Sequence, residues 1–193
     1  MKTYAVSDIH GCYHELMRTL DEIDLSGDNR LIVLGDMIGG GCASWQTINY
    51  LRGLQQRYAD QKIILLRGNH EQDLIDRCRK RKLSCQNREL TAWLSRLPLY
   101  YETETHIYVH AGICEEAGEL WRVGTPDHVF LYKYPPQMGW FYKTIVAGHV
   151  GTGDKHLSGD PGYIGVWHDG MSHYYIDGNV LRTGRIPVYV TEG

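Results

Sequence analysis

Ile63-Ile64-Leu65-Leu66-Arg67-Gly68-Asn69-His70-Glu71 is the stretch on which the fold turns. The apolar run reads as a strand ending at Leu66, and a helix begins near Glu71. Gly68 lets the backbone turn sharply between them. An amide and an imidazole side by side are an odd pairing for a core. They make sense if Asn69 offers its oxygen to a metal ion and His70 handles a proton. One such tetrapeptide carries little weight alone. Four further groups, Asp8-Ile9-His10-Gly11, Gly35-Asp36, His110-Ala111-Gly112 and Gly148-His149, each follow a short β-like run in the same way.

Upstream, Thr3 to Val6 reads as a buried strand, followed by the loop Ser7 to Gly11. An amphipathic helix comes next, with Leu16, Leu20 and Ile23 on one face. Leu31 to Leu34 is a second apolar strand running into Gly35-Asp36. The Gly39-Gly40-Gly41 loop precedes a helix from about Ser44 to Tyr58, whose inward face holds Trp45, Ile48, Leu51 and Leu54. Lys62 to Leu66 is the third strand. This β-loop-α unit, repeated three times, predicts parallel strands with functional residues at their C-terminal ends.

Downstream, Glu71 to Lys82 and Asn87 to Arg96 read as polar helices, and the basic run Arg77 to Lys82 as a solvated face. Leu99 to Thr103 and His106 to Val109 have the pattern of a hairpin. Residues 115–142 give no clear periodicity, and Thr144 to Ala147 leads into Gly148-His149. After a Gly-rich loop at 151–170, strands are expected at Ser172 to Ile176, Val180 to Leu181 and Ile186 to Val190. They would form a second, largely antiparallel sheet. With no linker, repeat or low-complexity tract, one domain over residues 1–193 is expected.

Composition narrows the function. Of 193 residues 42% are apolar and 22% charged, ordinary for a globular chain able to bury its own core. A net charge of -3 argues against a general nucleic-acid binder. An acidic protein acting on phosphate esters needs local positive charge, which bound cations supply. Five cysteines at irregular spacings fit neither a disulfide framework nor a CxxC zinc site, which points to reduced thiols in a cytoplasm. The N-terminus runs directly into a strand and no apolar run is long enough for a bilayer, so neither a leader nor a membrane partner is expected.

Collected together, the polar residues just past strands are Asp8, His10, Asp36, Asn69, His70, His110 and His149. Carboxylate, imidazole and one amide oxygen, with no thiolate, suit Mn²⁺, Fe²⁺ or Zn²⁺ better than a structural zinc site. Six candidate ligands are too many for one ion with an open position and right for two. A carboxylate, foremost Asp36, would bridge ions ~3.5–4 Å apart. Such a pair would hold a phosphoryl oxygen and generate a bridging hydroxide for in-line attack, with His70 left to protonate the leaving oxygen.

The five blocks, in this order, resemble the PPP family of metal-dependent phosphatases within the calcineurin-like metallophosphoesterases. That family's pattern runs GDxHG, GDxxDRG, RGNHE, HAG or HGG, then GH. Here it reads Ser7-Asp8-Ile9-His10-Gly11, Gly35-Asp36-Met37-Ile38-Gly39-Gly40-Gly41, Arg67-Gly68-Asn69-His70-Glu71, His110-Ala111-Gly112 and Gly148-His149. The likeness spans residues from about 3 to 190. It implies an α/β fold, an αββα sandwich of two mixed sheets flanked by helices. It also implies that Asp8 and His10 serve one metal and that Asn69, His110 and His149 serve the other. Asp36 then bridges, and His70 is the general acid.

Two departures bear on the substrate. The family's GDxxDRG carries an Asp that tunes the catalytic His and an Arg that binds phosphate, where this chain has Gly39 and Gly40. No Arg falls cleanly at the family's other phosphate-gripping position, so Lys133 and Arg122 are the candidate substrate contacts. Lys lacks the bidentate grip of Arg. The resemblance implies a phosphoric ester hydrolase with two divalent ions, manganese foremost and iron or zinc as options. Its first implied substrate is a serine/threonine phosphoprotein, as for bacterial-type phosphatases. Dinucleoside polyphosphate hydrolysis is the alternative, and a non-catalytic scaffold the third reading.

Overall fold

The central strands are apolar on both faces, so each face must be covered by another layer. The fold is taken from a computed structural model, which describes residues 1–58, 61–80 and 85–192. Among them the first half runs β1 (Lys2–Val6), α1 (Tyr13–Asp21), β2 (Arg30–Val33), α2 (Ser44–Arg57), β3 (Ile63–Leu65), α3 (Asn69–Lys80) and α4 (Cys85–Leu94). The second half runs β4 (Tyr100–Glu102), β5 (His106–Val109), a 3-10 turn (Glu115–Leu120), α5 (Trp121–Gly124) and α6 (Asp127–Tyr132). It continues through β6 (Thr144–Gly151), β7 (Trp167–His168), β8 (His173–Asp177), α7 (Val180–Thr183) and β9 (Tyr189–Glu192).

Two mixed sheets result, ordered β3-β2-β1-β9 and β4-β5-β6-β8-β7. In the first, β1, β2 and β3 are parallel and β9 lies antiparallel on β1. In the second, β5, β6 and β8 are parallel, with β4 and β7 as antiparallel edges. Period-two alternation sorts the side chains into layers. Tyr4, Val6, Leu31, Val33, Ile63 and Leu65 face Leu16, Ile48, Leu51 and Ile75 of the helices. Their neighbours Ala5, Ile32, Leu34, Ile64 and Leu66 face Tyr108, Val146 and Ile176 of the other sheet. The outer face of the second sheet, Ile107, Val109, Ile145 and Ala147, packs on Trp121, Phe130 and Phe141. This is the αββα sandwich. Fully buried Ile32, Leu34 and Leu66 each contribute about 1.5–3 kcal/mol of burial, which holds rigid the platform carrying the strand-end loops.

Three expectations change. The C-terminal sheet is not largely antiparallel: β6 and β8 run parallel across the 151–170 loop, and β9 returns to the first sheet. Val180 and Leu181 are helical, not a strand; the chain turns into α7 through Asn179 in the left-handed region (φ 50°). Trp45 does not face the core; it opens α2 and is 56% exposed. Arg81 and Lys82, the end of the predicted basic helix, lie outside the described residues. No helix among the described residues is long and apolar enough to cross a membrane.

Candidate metal centre

Parallel strands in both sheets deliver their C-terminal loops to one rim. Asp8 and His10 follow β1, Asp36 follows β2, and Asn69 and His70 open α3 just past β3. His110 follows β5, and His149 lies at the irregularity where β6 shifts register on β8. Four of these side chains are carried on left-handed backbone: Asp8 (φ 52°), His10 (φ 48°), Asp36 (φ 49°) and His149 (φ 64°). Non-glycine residues seldom adopt that region, and such strain is held where it aims functional groups. The loops are tied by His10 N–H donating to Asp36 O at 2.8 Å and Gly148 N–H to His110 O at 2.8 Å. Glycine is required at Gly148, where a Cβ would strike Ser7 and Asp8, and at Gly68, where it would strike the Asp36 carboxylate.

Asp36 lies at the middle. Its Oδ1 is 3.6 Å from His110 Nε2, and its Oδ2 is 3.9 Å from Nε2 of both His10 and His70. Candidate ligand atoms of His10, Asp36 and His70 lie within 4.8 Å of one another, as do those of Asp8, Asp36 and His110. The buried carboxylate of Asp36 therefore belongs to two groups at once. Asn69 Oδ1 lies 2.8 Å from His110 Nε2 and 3.0 Å from His149 Nδ1. His110 Nδ1 donates to the Leu34 carbonyl at 2.9 Å, so its Nε2 presents a lone pair toward an amide oxygen that is also an acceptor. Lone pairs converging on one point are what a cation resolves, and the carbonyl bond is the outer support a ligating imidazole uses.

Electrostatics give the same picture. Burial, with the nearby charges of Glu71 and Asp8, pushes Asp36 well above the carboxylate range. Burial would raise Asp8 too, but His10, His110 and Ser7 outweigh it and hold Asp8 at about 2. Burial depresses His110 to about 4 and also lowers His149 and His70. His10 goes the other way: burial would lower it, but the hydrogen bond and charge of Asp8 outweigh burial and raise it. Crowded acceptors and imidazoles form a donor set that fits divalent cations. His70 is the most exposed ring of the cluster, set edge-on to His10 at 4.8 Å between centroids.

A profile of the calcineurin-like phosphoesterases matches residues 1–189. The chain belongs to the calcineurin-like phosphoesterase family. Among curated relatives of this chain is a "Bis(5'-nucleosyl)-tetraphosphatase, symmetrical" of Janthinobacterium sp. (strain Marseille), 29% identical over 173 residues, covering 83% of this chain and 61% of that protein. A protein of the same description from Shewanella sediminis (strain HAW-EB3) is 29% identical over 191 residues, covering 89% of this chain and 62% of its own. The chain thus spans about six-tenths of the length of these relatives. Among solved structures, a protein provisionally assigned as a diadenosine tetraphosphatase superposes with a TM-score of 0.65 at 18% identity, covering 100% of this chain and 90% of that one. A serine/threonine phosphatase from Saccharomyces cerevisiae gives 0.66 at 16%, covering 92% and 67%. At these identities the structural likenesses show the fold alone.

All seven strand-end candidates come together, but the two expected phosphate contacts do not join them. Arg122 is exposed and paired with Glu102. Glu102 pairs across from Ile107 and also binds Lys143, so Arg122 sits at the N-terminal end of β5 and β6, opposite the rim. Lys133 packs its stem over Gly112, near His110, but its ammonium is spent on Ile113 O, Gln137 and Glu115. Two residues of the rim escaped the sequence reading. Asp177, at the end of β8, is pushed up to about 8 by burial and the charge of Asp8. Its signal was a carboxylate directly after the run Tyr174-Tyr175-Ile176, as Asp36 follows β2. Glu71 is wholly buried and receives N–H bonds from Asp36, Ile38 and Gly68; its motif position was visible but not its task.

Proposed function

We propose that the chain hydrolyses dinucleoside polyphosphates in a metal-dependent reaction, cleaving a phosphoanhydride of the diadenosine tetraphosphate type. The observation that carries the metal site is Asp36, whose two oxygens face different groups of imidazoles. Asp8, His10 and Asp36 would hold one divalent cation, and Asp36, Asn69, His110 and His149 a second, manganese, iron and zinc all suiting the donors. Such cations supply Lewis acidity toward a phosphoryl oxygen and toward the attacking water. The substrate class follows the curated relatives, which carry that activity in their names.

His70 is the group left to move the proton. Its backbone N–H donates to Asp36 Oδ1 at 2.9 Å, which fixes the ring at the rim, while its Nε2 makes no hydrogen bond among the described residues. Burial and the neighbouring His10 lower its pKa. An arriving polyphosphate brings negative charge that restores the protonated form. As water adds to phosphorus and the bridging P–O bond breaks, His70 delivers its proton to the departing diphosphate oxygen. The acid at Gly39's position in the family pattern is absent, so orientation of His70 rests on its backbone bond and on packing against His10.

Product analysis tests this reading. With manganese, diadenosine tetraphosphate is expected to give ADP as the sole nucleotide product, and His70→Ala to slow its release by roughly a hundredfold or more. Turnover of a serine phosphopeptide with no turnover of the dinucleotide would instead favour the phosphoprotein phosphatase reading. No metal-dependent turnover of either would favour a scaffold.

A further inference from the structure

We propose that the cleft beside His70 seats a nucleobase of the substrate, with Trp45 as its stacking platform and Arg77 over the adjoining phosphates. This rests on the dinucleoside polyphosphate reading and adds where, and by which residues, the nucleoside is recognised. The cleft has a volume of about 400 Å³; Leu74, Leu90 and Ile48 line it, His70 borders it, and Trp45 and Arg77 are also part of its wall. That size and that mostly apolar lining suit a flat heterocycle.

Trp45 is the telling residue. A tryptophan in the first turn of α2 would ordinarily fold onto the core, yet this one is 56% exposed. No ring or cation among the described residues contacts it. An indole held on a rigid helix with a free face is a platform for any base, whatever its hydrogen-bonding edge. Arg77 follows His70 by seven residues on α3, hence on the same face, roughly 10 Å further along the axis. Its Nε donates to the Asp73 carbonyl at 3.2 Å and its guanidinium makes no ion pair among the described residues. Unlike Lys133 and Arg122, it is paired with no carboxylate among the described residues, and it borders the same cleft as His70. Gly39 lines the cleft as well and adds no side chain between it and His70. Symmetrical cleavage leaves two phosphates and a ribose between the scissile bond and each base, so the base belongs in a cavity next to the cluster rather than within it.

Steady-state kinetics with manganese on diadenosine tetraphosphate and on inorganic tripolyphosphate, which has phosphoanhydrides but no base, separates the possibilities. Trp45→Ala is expected to raise KM for the dinucleotide about tenfold, as lost base stacking does, with a much smaller effect on tripolyphosphate. Trp45→Phe keeps an aromatic face and is expected to recover most of that KM. Arg77→Ala is expected to raise KM for both substrates. Equal effects of Trp45→Ala on the two substrates, or none on the dinucleotide, would overturn the base site while leaving the enzyme reading intact. Wild-type protein that cleaves p-nitrophenyl phosphate but not diadenosine tetraphosphate would overturn that reading and the base site together.

Discussion

Replacing Glu71 shows how the centre is held in shape. Its side chain is fully buried; Oε2 accepts from Asp36 N at 2.8 Å and Gly68 N at 2.9 Å, and Oε1 from Ile38 N at 3.1 Å. One carboxylate thus fixes the backbone of the β2 loop against that of the β3 loop, with Asp36 in its left-handed conformation. Burial raises the Glu71 pKa while the backbone donors oppose it. In Glu71→Gln the amide oxygen can keep the two shorter bonds, but its NH2 then meets the Ile38 N–H. One unsatisfied buried donor costs about 1–3 kcal/mol. Glu71→Ala strands all three donors, about 3–9 kcal/mol by the same rule, which rivals the total stability of about 5–15 kcal/mol usual for a domain. Urea titration of the metal-free protein, read by tryptophan fluorescence, measures both. The Gln variant is expected to fold with a lowered midpoint and reduced kcat, because Asp36 is no longer held. The Ala variant is expected to be largely unfolded. Equal stability of the two variants would refute the accounting, since it would mean the three bonds are not made to this carboxylate.

Other perturbations probe neighbouring parts of the account. Asp36→Asn removes the carboxylate common to both groups; metal content measured by plasma emission is expected to fall from two ions to one or none per chain. Activity should drop by more than the roughly 10–100-fold typical of outer-shell changes, and full metal content in the variant would contradict a bridging role. Burial holds His110 near 4 against an ordinary 6.5, so between those values the unfolded chain binds a proton that the folded one refuses. Stability of the metal-free protein should therefore fall as the pH drops from about 6.5 to about 4, by up to about 3 kcal/mol. Thermal midpoints of wild type and His110→Asn across that range check it; identical slopes would count against it. Arg122→Ala should leave kcat/KM for diadenosine tetraphosphate unchanged, because its charge is engaged by Glu102 away from the rim. A clear fall would return Arg122 to the site.

Much of the architecture was legible because burial on both faces leaves a plain trace. Leu31 to Leu34 and Ile63 to Leu66 are continuous apolar runs whose alternate members serve two cores, and the ligand-type residues stand at their ends. The C-terminal third was less readable for a physical reason. No helix separates β6 from β8, so the usual sign of a parallel crossover was missing, and the 151–170 loop makes the connection instead. With that direction misread, Asp177 had no reason to join the rim. Val180-Leu181 carried strand propensity in a segment too short for propensity to decide, and the left-handed Asn179 turned it into a helix. Trp45 kept helical spacing with Ile48, but its side chain lines an open cleft instead of core. The ion pair of Arg122 with Glu102 is a contact between residues 20 positions apart, and no local pattern announces it.

Anomalous diffraction at the manganese edge, from crystals grown with excess manganese, tests the central claim most directly. Two peaks are expected, both in contact with the Asp36 carboxylate, one also near Asp8 and His10 and the other near Asn69, His110 and His149. A fully occupied ion placed elsewhere, with Asp36 touching none, would contradict it.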